Sequence, residues 1–316
     1  MCGRRQCSNG SCIDFNFVKL LHSNAESMFK ADIVVIGVPD ESKSHAKRRG
    51  ASKGPDSLRI ASNTFEFFER DGKTIPICPM KGTLENKKIL DFGNIARDDL
   101  YNLIFDVVTA KKIPITIGGD HSITTVILQA IQESFDGNKL SLIYFDAHPD
   151  FVSSTRNYYG SVITDSSNFI DFKKSILIGT RAAELEELIN ASKQALEIVT
   201  PIDILEVGLH HTIENIISKC QSNKVYISID LDCMDPGVAP GVSVPTPGGL
   251  FPLDLIYMVK KISENLQVVG MDIVELSPDY DINQNTANHA SRILMEMISS
   301  ININKFANVG SASTIK

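Results

Sequence analysis

The chain has 316 residues, 43% of them apolar and 22% charged, enough to bury a large core. Its net charge of −7 and pI near 5.5 argue against nucleic acid or an anionic membrane surface as partner. No apolar run reaches the roughly 18 residues of a membrane span, the start is too polar for a signal peptide, and six cysteines fit free thiols, so a cytoplasmic protein is expected.

Residues 1–14 are polar and read as a disordered tail. Cys2, Cys7 and Cys12 lie there, at a spacing that matches no common zinc pattern. From 15 to 316 no linker or repeat divides the chain, so one domain is expected. Ala31 to Val38 reads as a first strand. Gly54-Pro55 then opens a helix through Leu58, Ile60 and Phe65, since proline suits a first helical turn. Four later strands are short, β-branched and closed by polar residues. Ile113 to Ile117 meets Gly118-Gly119-Asp120-His121, and Leu140 to Phe145 meets Asp146-Ala147-His148-Pro149-Asp150. Val225 to Ile229 meets Asp230-Leu231-Asp232, and Val268 to Val274 meets Glu275. Ser122 is placed to cap a helix whose apolar face is Val126, Ile127, Ala130 and Ile131. Thr286 to Ile298 reads as another amphipathic helix. The alternation predicts an α/β fold with a mostly parallel sheet, whose ligand crevice lies at the strands' carboxyl ends.

Those strand ends gather His121, Asp146, His148, Asp150, Asp230 and Asp232. Imidazoles among many carboxylates suit borderline or hard divalent metals such as manganese. Carboxylates crowded together raise each other's pKa, and two divalent ions would neutralise them. An isolated Asp-x-Asp is more often a cap or a turn. An Asp-x-His-x-Asp closing an apolar strand is sharper, because buried unpaired carboxylates are expensive. On an extended strand its three side chains would point the same way.

With these motifs the sequence resembles the ureohydrolase family of arginases, agmatinases and formimidoylglutamases. The likeness runs from about Gly37 past Thr286. It also includes Gly50-Ala51-Ser52-Lys53-Gly54-Pro55 with Arg59, Gly179-Thr180-Arg181, Ser228 to Asp232 through Asp235-Pro236 to Gly241, and Met271-Asp272-Ile273-Val274-Glu275. The resemblance implies a three-layer α/β/α fold, two Mn2+ per chain, and urea release from a guanidine by metal-activated water. It places His121 and Asp150 on one ion, His148 and Asp232 on the other, and Asp146 and Asp230 on both. Asp150 would also steady the tetrahedral carbon, and Glu275 would bind the guanidinium, whose planar fork matches a carboxylate. Homo-oligomers, trimers or hexamers, are implied as well.

The chain departs from the family in two places. A His-Gly pair usually follows the Asp-x-His-x-Asp motif and serves as proton shuttle. Here the stretch reads Tyr158-Tyr159-Gly160-Ser161, and no histidine lies between His148 and His210. Tyr159 is the candidate replacement, although a phenol with reference pKa near 10 shuttles poorly at neutral pH, and simple packing is the plainer reading of it. Second, Gly241-Val242-Ser243 is nearer the formimidoylglutamase pattern, whereas Asp120 fits arginases and agmatinases. Asp150-Phe151-Val152-Ser153 lacks the asparagine that arginases use for the amino-acid end of arginine. Agmatine or a similar decarboxylated guanidine therefore ranks first as substrate, ahead of formimidoylglutamate and arginine. A mononuclear zinc deacetylase and a non-catalytic paralogue are the competing classes.

Overall fold

The computed structural model describes residues 18–135, 137–303 and 306, with the backbone of 7–8 and 11–12. Cys2 and the rest of the expected tail lie outside the described residues, as do the side chains of Cys7 and Cys12.

The centre is an eight-stranded sheet. In chain order its strands are β1 (Ile33–Val38), β2 (Ile89–Asn94), β3 (Ile113–Gly118), β4 (Ser141–Phe145), β5 (Ile176–Ile178), β6 (Glu197–Val199), β7 (Val225–Asp230) and β8 (Val268–Val274). Across the sheet they run β6-β5-β4-β7-β8-β3-β1-β2, and every pairing is parallel. Strands β1, β3, β4, β7 and β8 are buried at every position. Helices cover both faces of such a sheet, so its strands read as unbroken apolar runs.

The helices include α1 (Gly54–Phe65), α2 (Leu100–Thr109), α3 (Ile123–Ser134), α4 (Leu185–Gln194), α5 (Pro201–Val207), α6 (Leu209–Cys220), α7 (Pro252–Asn265) and α8 (Asn285–Ser300). Helix α1 starts where Gly54-Pro55 predicts, but it buries Leu58 and Ala61 and leaves Ile60 and Phe65 exposed. Arg59 is fully buried on α1 and grips Asp91 of β2 with two bonds of 2.9 Å. That bidentate pair staples helix to sheet, and both charges are compensated. On α3 the expected face is buried at Ile127, Ala130 and Ile131 and half-buried at Val126.

Register decides where the motifs land. The pairs Phe145–Ile229, Asp230–Val274 and Ile273–Ile117 bring the ends of β4, β7, β8 and β3 level. These four strands are consecutive neighbours, so their polar sequels share one edge.

Candidate metal centre

The six candidate ligands converge at that edge, but not by strand alternation. Strand β4 ends at Phe145, and Asp146 to Asp150 form a loop beyond it. Asp150 has φ 48°, in the left-handed region, as does Glu275 at 64° after β8. Non-glycine residues held there cluster at functional sites, where surrounding structure enforces the strain. Asp232 sits in a 3-10 turn, Leu231–Cys233, and Asp230 accepts its N–H at 2.7 Å. Turns, then, aim these side chains inward. Ser122 also departs from expectation. It makes no side-chain cap on α3, because its hydroxyl bonds Asp120.

Two overlapping sets of side chains could each hold a cation: His121, Asp146 and Asp150, and Asp146, His148 and Asp232. Asp146 is common to both. His121 Nδ1 lies 3.0 Å from Asp146 Oδ2, 3.3 Å from Asp230 Oδ2 and 3.5 Å from Asp150 Oδ2. His148 Nδ1 lies 3.3 Å from Asp146 Oδ1 and 3.2 Å from Asp232 Oδ2.

The groups behind His121 fix its tautomer. The Ser228 hydroxyl donates to Asp272 at 2.6 Å, so at its 2.8 Å contact with His121 Nε2 it accepts. The ring proton therefore sits on Nε2, and the Nδ1 lone pair faces the carboxylates, as in metal-ligating histidines. Thr124 and Tyr226 also donate to Asp272, at 2.7 and 2.8 Å.

Electrostatics describe a site that needs cations. Burial, and then the charge of Asp146, hold the Asp150 carboxyl well above its usual range. Burial and then Asp232 do the same to Asp230. Burial would lower the imidazole of His121, but the carboxylates of Asp146 and Asp230 outweigh it and raise it. Asp146 Oδ2 is buried and faces His121 Nδ1 at 3.0 Å. Such an oxygen is costly without a positive partner.

Glu275 stands beside these sets. Its N–H donates to Gly119 O, and its Oε1 accepts the His121 N–H, both at 2.9 Å. Gly119 allows this tie, since a Cβ there would fall 1.9 Å from the Asp40 carbonyl oxygen. The second oxygen, Oε2, is buried with no hydrogen-bond partner. Burial pushes the Glu275 carboxyl up to about 7.

Above lies a pocket lined by Val152, Tyr158, Tyr159, Glu184, Glu187 and Val244 among others, with no lysine or arginine among the described residues of its lining. Val152, Tyr158, Tyr159 and Gly160 of the 151–164 loop form a wall. Glu187 accepts the Phe151 N–H, Glu186 the Ser153 and Ser154 N–H groups, and Asp165 the Asn157 N–H, at 2.8–2.9 Å. Tyr158 and Tyr159 both face the pocket, and His45 stacks on Tyr158 at 4.9 Å. Burial and then Asp150 raise the Tyr159 phenol above its ordinary value and push Tyr158 up to about 12.

The arginase family's sequence profile matches residues 31–299. This chain belongs to the arginase family. An agmatinase of Blochmanniella floridana is 32% identical over 84% of this chain and 87% of its own length. The agmatine ureohydrolase of Thermoplasma volcanium superposes with a TM-score of 0.77 at 28% identity, covering 93% of this chain and 96% of that one. The proclavaminate amidino hydrolase of Streptomyces clavuligerus superposes with a TM-score of 0.76 at 27% identity, covering 88% and 93%. As an arginase-family member the protein is a hydrolase of C–N bonds in amidines and guanidines, on a three-layer α/β/α fold. Its His/Asp groups suit the metal such a hydrolase uses: the donors are oxygen and imidazole, gathered in two sets that share the buried Asp146.

Sequence reading gave no role to Tyr144, Ser228, Asp272 or Glu184. Strand parity was the available signal, since Tyr144 and Ser228 each lie two residues before an inward Asp. Asp272 stood out only as a charge inside an apolar run.

Proposed function

We propose that this enzyme hydrolyses agmatine to urea and putrescine at a pair of manganese ions. What supports this reading most is the buried Glu275 carboxylate, which lines the pocket beside the two ligand sets. A guanidinium is the planar cation that suits such a carboxylate. Glu184 and Glu187 also line the pocket and favour a second positive group on the substrate, and no lysine or arginine among the described lining residues offers a carboxylate a partner. Agmatine carries an ammonium at its other end, whereas arginine adds a carboxylate.

In this reading His121, Asp146, His148, Asp150, Asp230 and Asp232 would hold the ions, His121 and Asp150 on one side and His148 and Asp232 on the other, with Asp146 and Asp230 between them. When bound, the pair supplies water made nucleophilic at neutral pH. Glu275 orients the guanidinium so that its carbon faces that water. Asp150 accepts hydrogen bonds from the guanidino nitrogens as the carbon becomes tetrahedral. Tyr159 donates a proton to the departing alkylamine nitrogen, which is basic enough to take it from a phenol. The enzyme works in the cytoplasm as a homo-oligomer, a trimer or hexamer.

Urea release is measured on agmatine, arginine, guanidinobutyrate and guanidine, and formamide release on formimidoylglutamate, with metal content determined in parallel. Agmatine is expected to be turned over fastest, with two manganese ions per chain. Preference for arginine or formimidoylglutamate, or one zinc per chain, overturns the reading.

A further inference from the structure

Tyr144 is the last residue but one of β4 and lies fully buried against the first ligand set. Its hydroxyl donates to Asp150 Oδ2 at 2.6 Å and lies 3.0 Å from His121 Nδ1. Its ring stacks on the His121 imidazole, with centroids 4.5 Å apart and planes 6° from parallel. One side chain thus touches both residues particular to the first set. Its hydrogen bonds and ring contacts do not include His148 or Asp232, the residues particular to the second.

Asp150 needs such a brace. It sits in a left-handed conformation on the loop that follows β4. A hydrogen bond to one carboxylate oxygen fixes the rotation of the whole group. The stack limits rotation of the imidazole, whose far nitrogen is already held by Ser228.

We propose that Tyr144 is a positioning residue that sets the affinity of the first metal ion alone, by holding Asp150 and His121 in ligating geometry. The proposal rests on the two-ion reading above. It also makes the two ions unequal, the first depending on a phenol that the second does not use.

The test is Tyr144→Phe, which keeps the ring and its stack and deletes only the hydroxyl. Manganese is titrated into metal-free wild type and variant, with binding followed by calorimetry and by the paramagnetic resonance of the bound ions. Wild type is expected to take up two ions. In the variant one ion should bind about tenfold to a hundredfold more weakly, the usual effect of losing such a support, while the other is unchanged. The signal of coupled ions should give way to that of a single ion at limiting metal. Equal weakening of both ions, or unchanged affinity for both, overturns the role of Tyr144. A wild type that binds fewer than two ions defeats the two-ion reading itself. Thermal unfolding of the metal-free proteins separates these results from a folding defect, which would lower Tm before any metal is added.

Discussion

The Ser228 hydroxyl accepts a hydrogen bond from His121 Nε2–H at 2.8 Å and donates its own to Asp272 at 2.6 Å. This chain of bonds points the lone pair of Nδ1 toward Asp146 and Asp230. Ser228→Ala frees the imidazole to carry its proton on either nitrogen. Manganese affinity should fall about tenfold to a hundredfold, measured by titration of the metal-free protein. Unchanged affinity would mean that the carboxylates alone orient the ring.

Asp230→Ala should abolish turnover and weaken both ions, because in the proposed site this carboxylate contacts each of them. Near-normal urea release with full metal occupancy would remove Asp230 from the site.

Glu275→Gln keeps shape and removes charge. Loss of a charged hydrogen bond of roughly 1.5–3 kcal/mol should weaken agmatine binding about ten- to a hundredfold. Turnover should fall further, since the contact also aims the carbon. Manganese content should stay the same. A drop would make Glu275 part of the metal's support.

Tyr159→Phe should lower kcat by a factor on the order of 10²–10⁴, the usual span for a general acid, without altering metal content. Tyr159→His should keep or raise activity by supplying a group with pKa near 6.5. A Tyr159→Phe enzyme with an unchanged rate across pH would leave the tyrosine as packing only.

His22, away from the site, gives a stability prediction. Its Nε2 is buried without a partner, and burial followed by the charge of Arg292 lowers its pKa. The unfolded chain therefore takes up a proton at a pH where the folded one does not. This contribution to stability is fully present above about 6.5 and is lost as pH falls from there toward the depressed folded value. His22→Gln should flatten that part of the curve, read as Tm against pH relative to wild type. Parallel curves would show that His22 titrates alike in both states.

Strand identity was legible because burial on both faces leaves continuous apolar runs. Val268 to Val274 was read with both of its ends in place, and Val225 to Ile229 fell one residue short. The ligand types were legible as well, since carboxylates and imidazoles directly after buried strands have few structural uses. Sequence order could not reveal how they meet. Asp150 and Glu275 reach the site through left-handed turns, and Asp232 through a 3-10 turn, conformations that depend on neighbouring segments of the fold.

The sequence by itself determined which strands exist and which chemistry their ends carry, because both follow from local composition. Only the tertiary structure decided that β4, β7, β8 and β3 lie side by side. From that order came the meeting of Asp146 with His121 and Asp232 in two ligand sets, the stacking of Tyr144 on His121, and the orientation of His121 by Ser228. The physical reason is that these contacts join residues far apart in the chain. Parallel strands need long crossovers, so which strands become neighbours is a property of the whole sheet.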